Sequence, residues 1–208
     1  SKATRVVVAT DDQRILGVCK DIGAEAYLTS IKHPSGTDRI AEVANILGLS
    51  NEHLVVNLQG DEPLIPTSVI DQVAKNLYLN PQAELSTLCE PIMTDYEFSD
   101  PNVVKVVMDS KGFALYFSRA SVPHDAKQAQ SSEENNLRFR HLGIYAYRKS
   151  FLSKFSNWNP TSLEKLESLE QLRALHYGAR IHVELACETV PGGIDTEDDL
   201  SAVRELLI

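Results

Sequence analysis

At 208 residues, with 43% hydrophobic and 24% charged side chains, the chain is long enough to bury one good core, and a single domain spanning 1–208 is expected. A formal net charge of −9 with no Lys/Arg cluster excludes non-specific nucleic-acid binding. No apolar run approaches the ~20 residues of a membrane helix, so no membrane insertion is expected. The cysteines Cys19, Cys89 and Cys187 have neither zinc spacing nor a disulfide framework; reduced thiols and a cytoplasmic location are the expectation.

In chain order, "RVVVAT" (Arg5–Thr10) reads as a buried strand, and Asp11-Asp12 cap a helix that stops at Gly23. "AEAYLTS" is a second short strand. Thr37 or Asp38 is the predicted cap of the next helix, "DRIAEVANILG", whose apolar residues Ile40, Val43, Ala44 and Leu47 fall on one face. "HLVVNLQ" is a third strand, the most buried-looking in the chain, and "TSVIDQVAKNLYL" a third helix. Three β-then-α units in succession predict an α/β fold with a mostly parallel sheet covered by helices on both faces.

Beyond residue 100 the pattern changes. "NVVKVVMDSKGFALYFSR" predicts two strands around Asp109-Ser110-Lys111-Gly112, with Gly where positive φ is cheap. Residues 124–138 are polar and aperiodic, which predicts a mobile loop. "HLGIYAYR" is a further strand, and about 101–147 reads as an antiparallel insertion. "SLEKLESLEQLRALHYG" predicts one long helix carrying Leu163, Leu166, Leu169 and Leu172. "RIHVELA" is a last strand, and Thr196 starts a final helix after "PGGID".

Ligands in open α/β sheets sit beyond the carboxyl ends of the strands, so the acidic exit "NLQGDEP" draws notice. Gly60 permits close backbone approach, and Asp61 is either a hard-oxygen Mg²⁺ ligand or part of an ordinary turn. Asp195, in "PGGIDT", is either a second such ligand or an N-cap. "HPSGTDR" ends in a helix N-terminus whose free N–H groups, with Ser35, Thr37 and Arg39, offer a polar surface to a nucleobase or phosphate; the alternative is simply a capped helix. Arg119 ends an apolar strand and is a candidate anion ligand, while His141 and Tyr145 share a strand face. No GxxxxGK[ST], strand-borne GxGxxG or GxSxG is present, which disfavours P-loop ATPases, nicotinamide dehydrogenases and serine hydrolases.

Taken together and in order, "VVVATDD", "HPSGTDR", "VVNLQGDEPLIP", "STLCEPI", "VVKVVM…ALYFSRASVP", "RHLGIYAYR", "LEKLESLEQLR" and "GGIDTEDDL" resemble the 3-deoxy-manno-octulosonate (KDO) cytidylyltransferases over essentially the whole chain. The resemblance implies a Rossmann-like, glycosyltransferase-A-type nucleotidyltransferase. It implies a homodimer that activates KDO with CTP and Mg²⁺, giving CMP-KDO and pyrophosphate for lipopolysaccharide assembly. Asp61 and Asp195 match the family's metal-binding aspartates, with Gln59 where both substrates meet. Pro34, Ser35, Gly36 and Arg39 match the nucleotide contacts, and Arg119, His141, Tyr145, Glu170 and Gln171 the sugar-acid pocket. The insertion is expected to supply sugar contacts and dimer interface. The family opens with a strand and a basic loop that holds the triphosphate, and that unit does not precede Ser1. The expectation is that the numbering starts inside a longer protein; the alternative is an inactive, truncated nucleotide-binding relative. "RHLGIYAYR" and "LESLEQLR" argue against sialic acid as substrate, whereas an 8-amino analogue of KDO is left open.

Overall fold

The computed structural model describes residues 1–124, 137–194 and 196–207. The expected mobile loop falls largely on 125–136, and Asp195 is the other internal position outside the described residues. Strand β1 (Val8–Thr10) leads into helix α1 (Gln13–Asp21), whose N-cap Asp12 accepts from the Arg14 N–H at 2.7 Å. The chain turns at Gly23 (φ 73°) and enters β2 (Ala26–Leu28), which pairs in parallel with β1 as a small separate sheet. Helix α2 (Gly36–Ile46) is capped by Ser35, not by Thr37 or Asp38 as expected. Ser35 is extended (φ −149°) and its Oγ accepts from the Asp38 N–H at 3.3 Å, so Thr37 and Asp38 already lie inside the first turn.

Strand β3 (Leu54–Asn57) and helix α3 (Thr67–Leu79) follow as predicted. Strand β4 (Leu85–Pro91) has no counterpart among the predicted elements, yet it is more buried than β3: only Pro91 of its residues is exposed. After a short helix α4 (Asp95–Ser99), β5 (Lys105–Met108) and β6 (Ala114–Ser118) form the expected hairpin. Asp109 closes it by accepting from the Lys111 and Phe113 N–H groups at 2.8 and 2.9 Å, with Gly112 at φ 75°. Strand β7 (Phe139–Arg148), helix α5 (Lys149–Phe155), helix α6 (Ser162–Glu167), helix α7 (Gln171–His176), strand β8 (Ile181–Leu185) and helix α8 (Glu197–Leu207) complete the chain. Thr196 and Asp199 cap α8 reciprocally.

The fold is α/β with a mixed six-stranded sheet ordered β6-β5-β7-β4-β8, and β3 also pairs with β7. Strands β3, β4, β5 and β8 run one way, and β6 and β7 the other. Parallel neighbours are fewer than three successive β-then-α units predict, because β7 inserts antiparallel between β3 and β4. Its composition suits that place. Alternate residues Tyr145 and Tyr147 face one core cluster, with Phe151, Leu172 and Ile181; Ile144 and Ala146 face the other, with Val69, Val73 and Leu88.

The long predicted helix is in fact two. It breaks at Ser168, a non-glycine residue in the left-handed region at φ 52°. Leu163 and Leu166 are exposed, while Leu169 and Leu172 are buried, so the three-residue repeat does not make one apolar stripe. Tertiary bonds compensate the break: Arg119 donates through its backbone N–H to the Glu167 carboxylate at 2.9 Å and through Nε to the Glu167 carbonyl at 2.8 Å.

Candidate active site

The turn 34–36 leads to the N-terminus of α2 with Pro34 and Gly36 exposed and Ser35 half-buried. The Ser35 hydroxyl donates to Asp38 Oδ2 at 2.7 Å. Arg39 is fixed from two sides. Its guanidinium donates to Thr29 Oγ1 at 2.6 Å and pairs with Asp11 at 3.0 Å, tying the helix start to the ends of β1 and β2. That bond to Arg39 holds the exposed Asp11 carboxyl below its ordinary range.

The acidic exit of β3 lies against this turn. Gln59 Nε2 is 3.7 Å from where a Cβ on Gly36 would stand, so the two predicted nucleotide-side segments meet. Gln59, Gly60 and Asp61 are exposed; the Glu62 N–H closes the turn onto the Gln59 carbonyl at 3.2 Å. The distant "PGGI" segment packs directly on it. Ile194 N–H donates to the Asp61 carbonyl at 2.8 Å, and a Cβ on Gly193 would come within 3.1 Å of that same oxygen. Residues 61 and 194, which no spacing rule connects in sequence, are therefore bonded neighbours. Among the described residues no three His, Cys, Asp or Glu side chains gather as a metal site. Asp61 nonetheless presents an accessible hard-oxygen donor at a strand end, which suits Mg²⁺, a cation that takes one or two carboxylates and fills the rest with water and phosphate oxygens.

On the other side, a small cavity is lined by Thr37, Tyr145, Tyr147, Glu170 and Gln171 together with core side chains. The Thr37 hydroxyl donates to Glu170 and shares a 3.1 Å bond with the Tyr147 hydroxyl. Burial pushes the Tyr147 phenol well above its ordinary pKa, with the nearby Glu170 charge adding to it. Tyr145 stacks on Tyr147 with ring centres 5.7 Å apart, and its buried hydroxyl has no hydrogen-bond partner among the described residues. The His141 and Tyr145 ring centres lie 5.2 Å apart, and His141 meets Phe117 edge-on. Burial drives its pKa down to about 3, so the ring is neutral. The Thr87 hydroxyl lies 2.8 Å from the Ile144 carbonyl and 2.9 Å from His141 Nε2; donating to the first, it accepts from the second. This bond sits at the register irregularity between Thr87 and Leu88 in the β4–β7 pairing.

Arg119 stands slightly apart. Its guanidinium is held by the carbonyls of Glu167 and Pro101, at 2.8 and 2.9 Å, and Glu167 lies three residues before Glu170 in the chain. Burial would raise the Glu167 pKa, but the Arg119 N–H and the Ser118 and Tyr116 hydroxyls outweigh it and keep the carboxyl ionised.

The structure thus joins Pro34, Ser35, Gly36, Arg39 and Gln59 at one turn, sets Asp61 beside Ile194, and gathers Tyr145, Glu170 and Gln171 around one cavity with His141 adjoining. Asp195 lies outside the described residues. Asn57, Thr87 and Tyr147 were not among the candidates read from sequence; Asn57 is buried at the end of β3, opposite Tyr145 in the β3–β7 register. The one available signal was Tyr147 lying two residues from Tyr145 on the same strand face.

A mixed α/β sheet with polar loops converging at the end of β3 is the frame of a nucleotidyltransferase. A sequence-family model described as cytidylyltransferase matches residues 1–181, and the chain belongs to that family of enzymes. The relative from Pseudomonas fluorescens named 3-deoxy-manno-octulosonate cytidylyltransferase is 58% identical over 212 residues, which cover 100% of this chain and 83% of that protein. The Vibrio vulnificus protein of the same name is 51% identical over 99% of this chain and 82% of its own. Within its family the chain falls among the 3-deoxy-manno-octulosonate cytidylyltransferases. A solved CMP:2-keto-3-deoxy-manno-octonic acid synthetase complexed with CTP superposes with a TM-score of 0.87 at 35% identity, covering 100% of this chain and 82% of the other. A 4-diphosphocytidyl-2C-methyl-D-erythritol synthase shares the fold, with a TM-score of 0.59 at 11% identity.

Proposed function

We infer that the chain catalyses transfer of the cytidylyl group of CTP to KDO, releasing pyrophosphate. The observation that supports this reading is the bond from Thr37 to Glu170, which links the start of α2 to the start of α7, in a chain whose relatives bear that activity's name. The anomeric hydroxyl of KDO attacks the α-phosphorus, a new P–O bond forms, and the bond to pyrophosphate breaks. Catalysis of this kind rests on positioning and charge neutralisation.

Each group has a role that its surroundings support. The N-terminus of α2, with Ser35 and Gly36, offers N–H groups to the nucleotide, and Arg39 is locked in place beside it. Only some of the Arg119 N–H donors are spent on carbonyls, so its fork keeps donors for the KDO carboxylate. The unpartnered Tyr145 hydroxyl and Gln171 face the sugar, and neutral His141 serves as a hydrogen-bonding wall rather than a cation. Asp61 and Asp195 would hold Mg²⁺, which when bound neutralises phosphate charge. Gln59 sits between the two substrates.

The same reading includes a homodimer whose contacts involve the β5–β6–β7 region, a place in lipopolysaccharide synthesis and a cytoplasmic location. No helix among the described residues is long and apolar enough to cross a membrane. The test is pyrophosphate release from the purified protein. It should require CTP, KDO and Mg²⁺ together; release undiminished without KDO would defeat the proposal.

A further inference from the structure

Arg173 is 1% exposed and carries a charge that the proposed chemistry does not use. Its guanidinium makes a two-pronged bond to Glu164, at 2.9 and 2.5 Å, and its Nη1 reaches Asp38 Oδ2 at 3.5 Å. The Phe155 ring lies 4.3 Å beneath the fork. A buried ion cluster is a costly way to gain stability, since apolar groups of similar volume often do as well or better. Its placement points elsewhere.

Both of its partners organise helix starts. Glu164 completes the capping box of α6 with Thr161. Asp38 takes the hydroxyl of Ser35, the cap of α2 and a residue of the nucleotide-side turn. Arg173 belongs to α7, which opens with the sugar-side pair Glu170 and Gln171, and Glu170 accepts from Thr37, the neighbour of Asp38. Adjacent residues of α2 are therefore cross-linked to Glu170 and Arg173, which lie three apart on one face.

We propose that Arg173 is a positioning residue: acting through Asp38 and Ser35, it fixes the nucleotide-side turn against the sugar-side start of α7. The inference rests on the functional reading above for the identity of the two sides. A lysine cannot substitute, because a single ammonium lacks the planar fork that holds Glu164 while a third N–H reaches Asp38.

The test compares Arg173→Lys, Asp38→Asn and the double variant in the full chain for thermal midpoint, kcat and KM for CTP and KDO, assayed well below the lowest midpoint. Arg173→Lys is expected to lower kcat/KM by about ten- to a hundredfold, the scale of a small misplacement of reacting groups. The double variant should be no worse than the more impaired single, because both cut one linkage. A fall in midpoint alone, with kinetic constants within about twofold of wild type, would reduce Arg173 to a stability role, and additive losses would remove the route through Asp38. If Arg173→Lys does not fold, Asp38→Asn, which leaves the fork to Glu164 intact, carries the comparison, and unchanged constants overturn the proposal. Wild-type inactivity with CTP and KDO would instead sink the functional reading. Calorimetric CTP binding then decides for Arg173: weaker binding in Arg173→Lys supports its role, and unchanged affinity overturns it.

Discussion

On the sugar side of the candidate site, Tyr145 and Gln171 are buried, Glu170 is half-buried and takes a bond from Thr37 of α2, and Tyr145 stacks on Tyr147. Across the turn of α2, Gln59, Gly60 and Asp61 are exposed and are fixed through main-chain bonds such as Ile194 to Asp61. One half is pre-organised by its own packing; the other presents accessible oxygen to whatever charge arrives. Preorganised polarity in a dry site is what orients an attacking hydroxyl, whereas a phosphate and its cation bring water with them and need an open approach. Substitutions on the two sides should therefore separate activity from stability in different ways.

The largest separation is expected at Asp61. Asp61→Ala should lower kcat by about a hundredfold or more, while its thermal midpoint stays close to wild type because exposed positions contribute little to folding. A large loss of stability would mean that the carboxylate, and not only the main chain, holds the loop. Gly193→Ala comes next. Its new Cβ would sit 3.1 Å from the Asp61 carbonyl and 3.3 Å from Glu62 Oε1, so the loop must give by a few tenths of an ångström. About a tenfold fall in activity is expected, with CTP kinetics more affected than KDO kinetics.

Tyr145→Phe sharpens the contrast from the other side. It removes a buried hydroxyl that has no partner among the described residues, so folding stability should hold or rise by up to about 1 kcal/mol, while KM for KDO rises severalfold. A clear loss of stability would show that the hydroxyl is already bonded within the protein. The last contrast is the pH dependence set by His141. Its folded pKa is about 3, below the ordinary histidine value, so below pH ~6.5 the unfolded chain binds a proton that the folded chain refuses. Its contribution is complete above that pH and is lost as pH falls toward 3, by at most about 1.4 kcal/mol per unit. Thermal melts of His141→Gln against wild type from pH 7 to 5 should show a flatter profile in the variant.

Much of this was legible in the sequence where local chemistry decides. Asp12 before α1, the Asp109–Gly112 hairpin and the β7 strand are set by caps, turn residues and period. Of the candidate residues, Ser35, Gly36 and Arg39 lie together at one helix start and Glu170 and Gln171 at another. What escaped depends on partners distant in the chain. Strand β4 mixes Ser86 and Thr87 among apolar residues and is buried on both faces, so no alternation marks it. The break at Ser168 is compensated by bonds from Arg119 and Thr37, distant in the chain, against a sequence with strong helical periodicity. The joining of residues 61 and 194 is a hydrogen bond between main-chain groups and leaves no trace in side-chain identity.

The most direct measurement is a ³¹P NMR time course of the wild-type protein with CTP, KDO and Mg²⁺. The account predicts a sugar-phosphodiester resonance growing in step with pyrophosphate, one for one, and absent with Asp61→Ala. Pyrophosphate appearing without the phosphodiester, or equal turnover in Asp61→Ala, would contradict it.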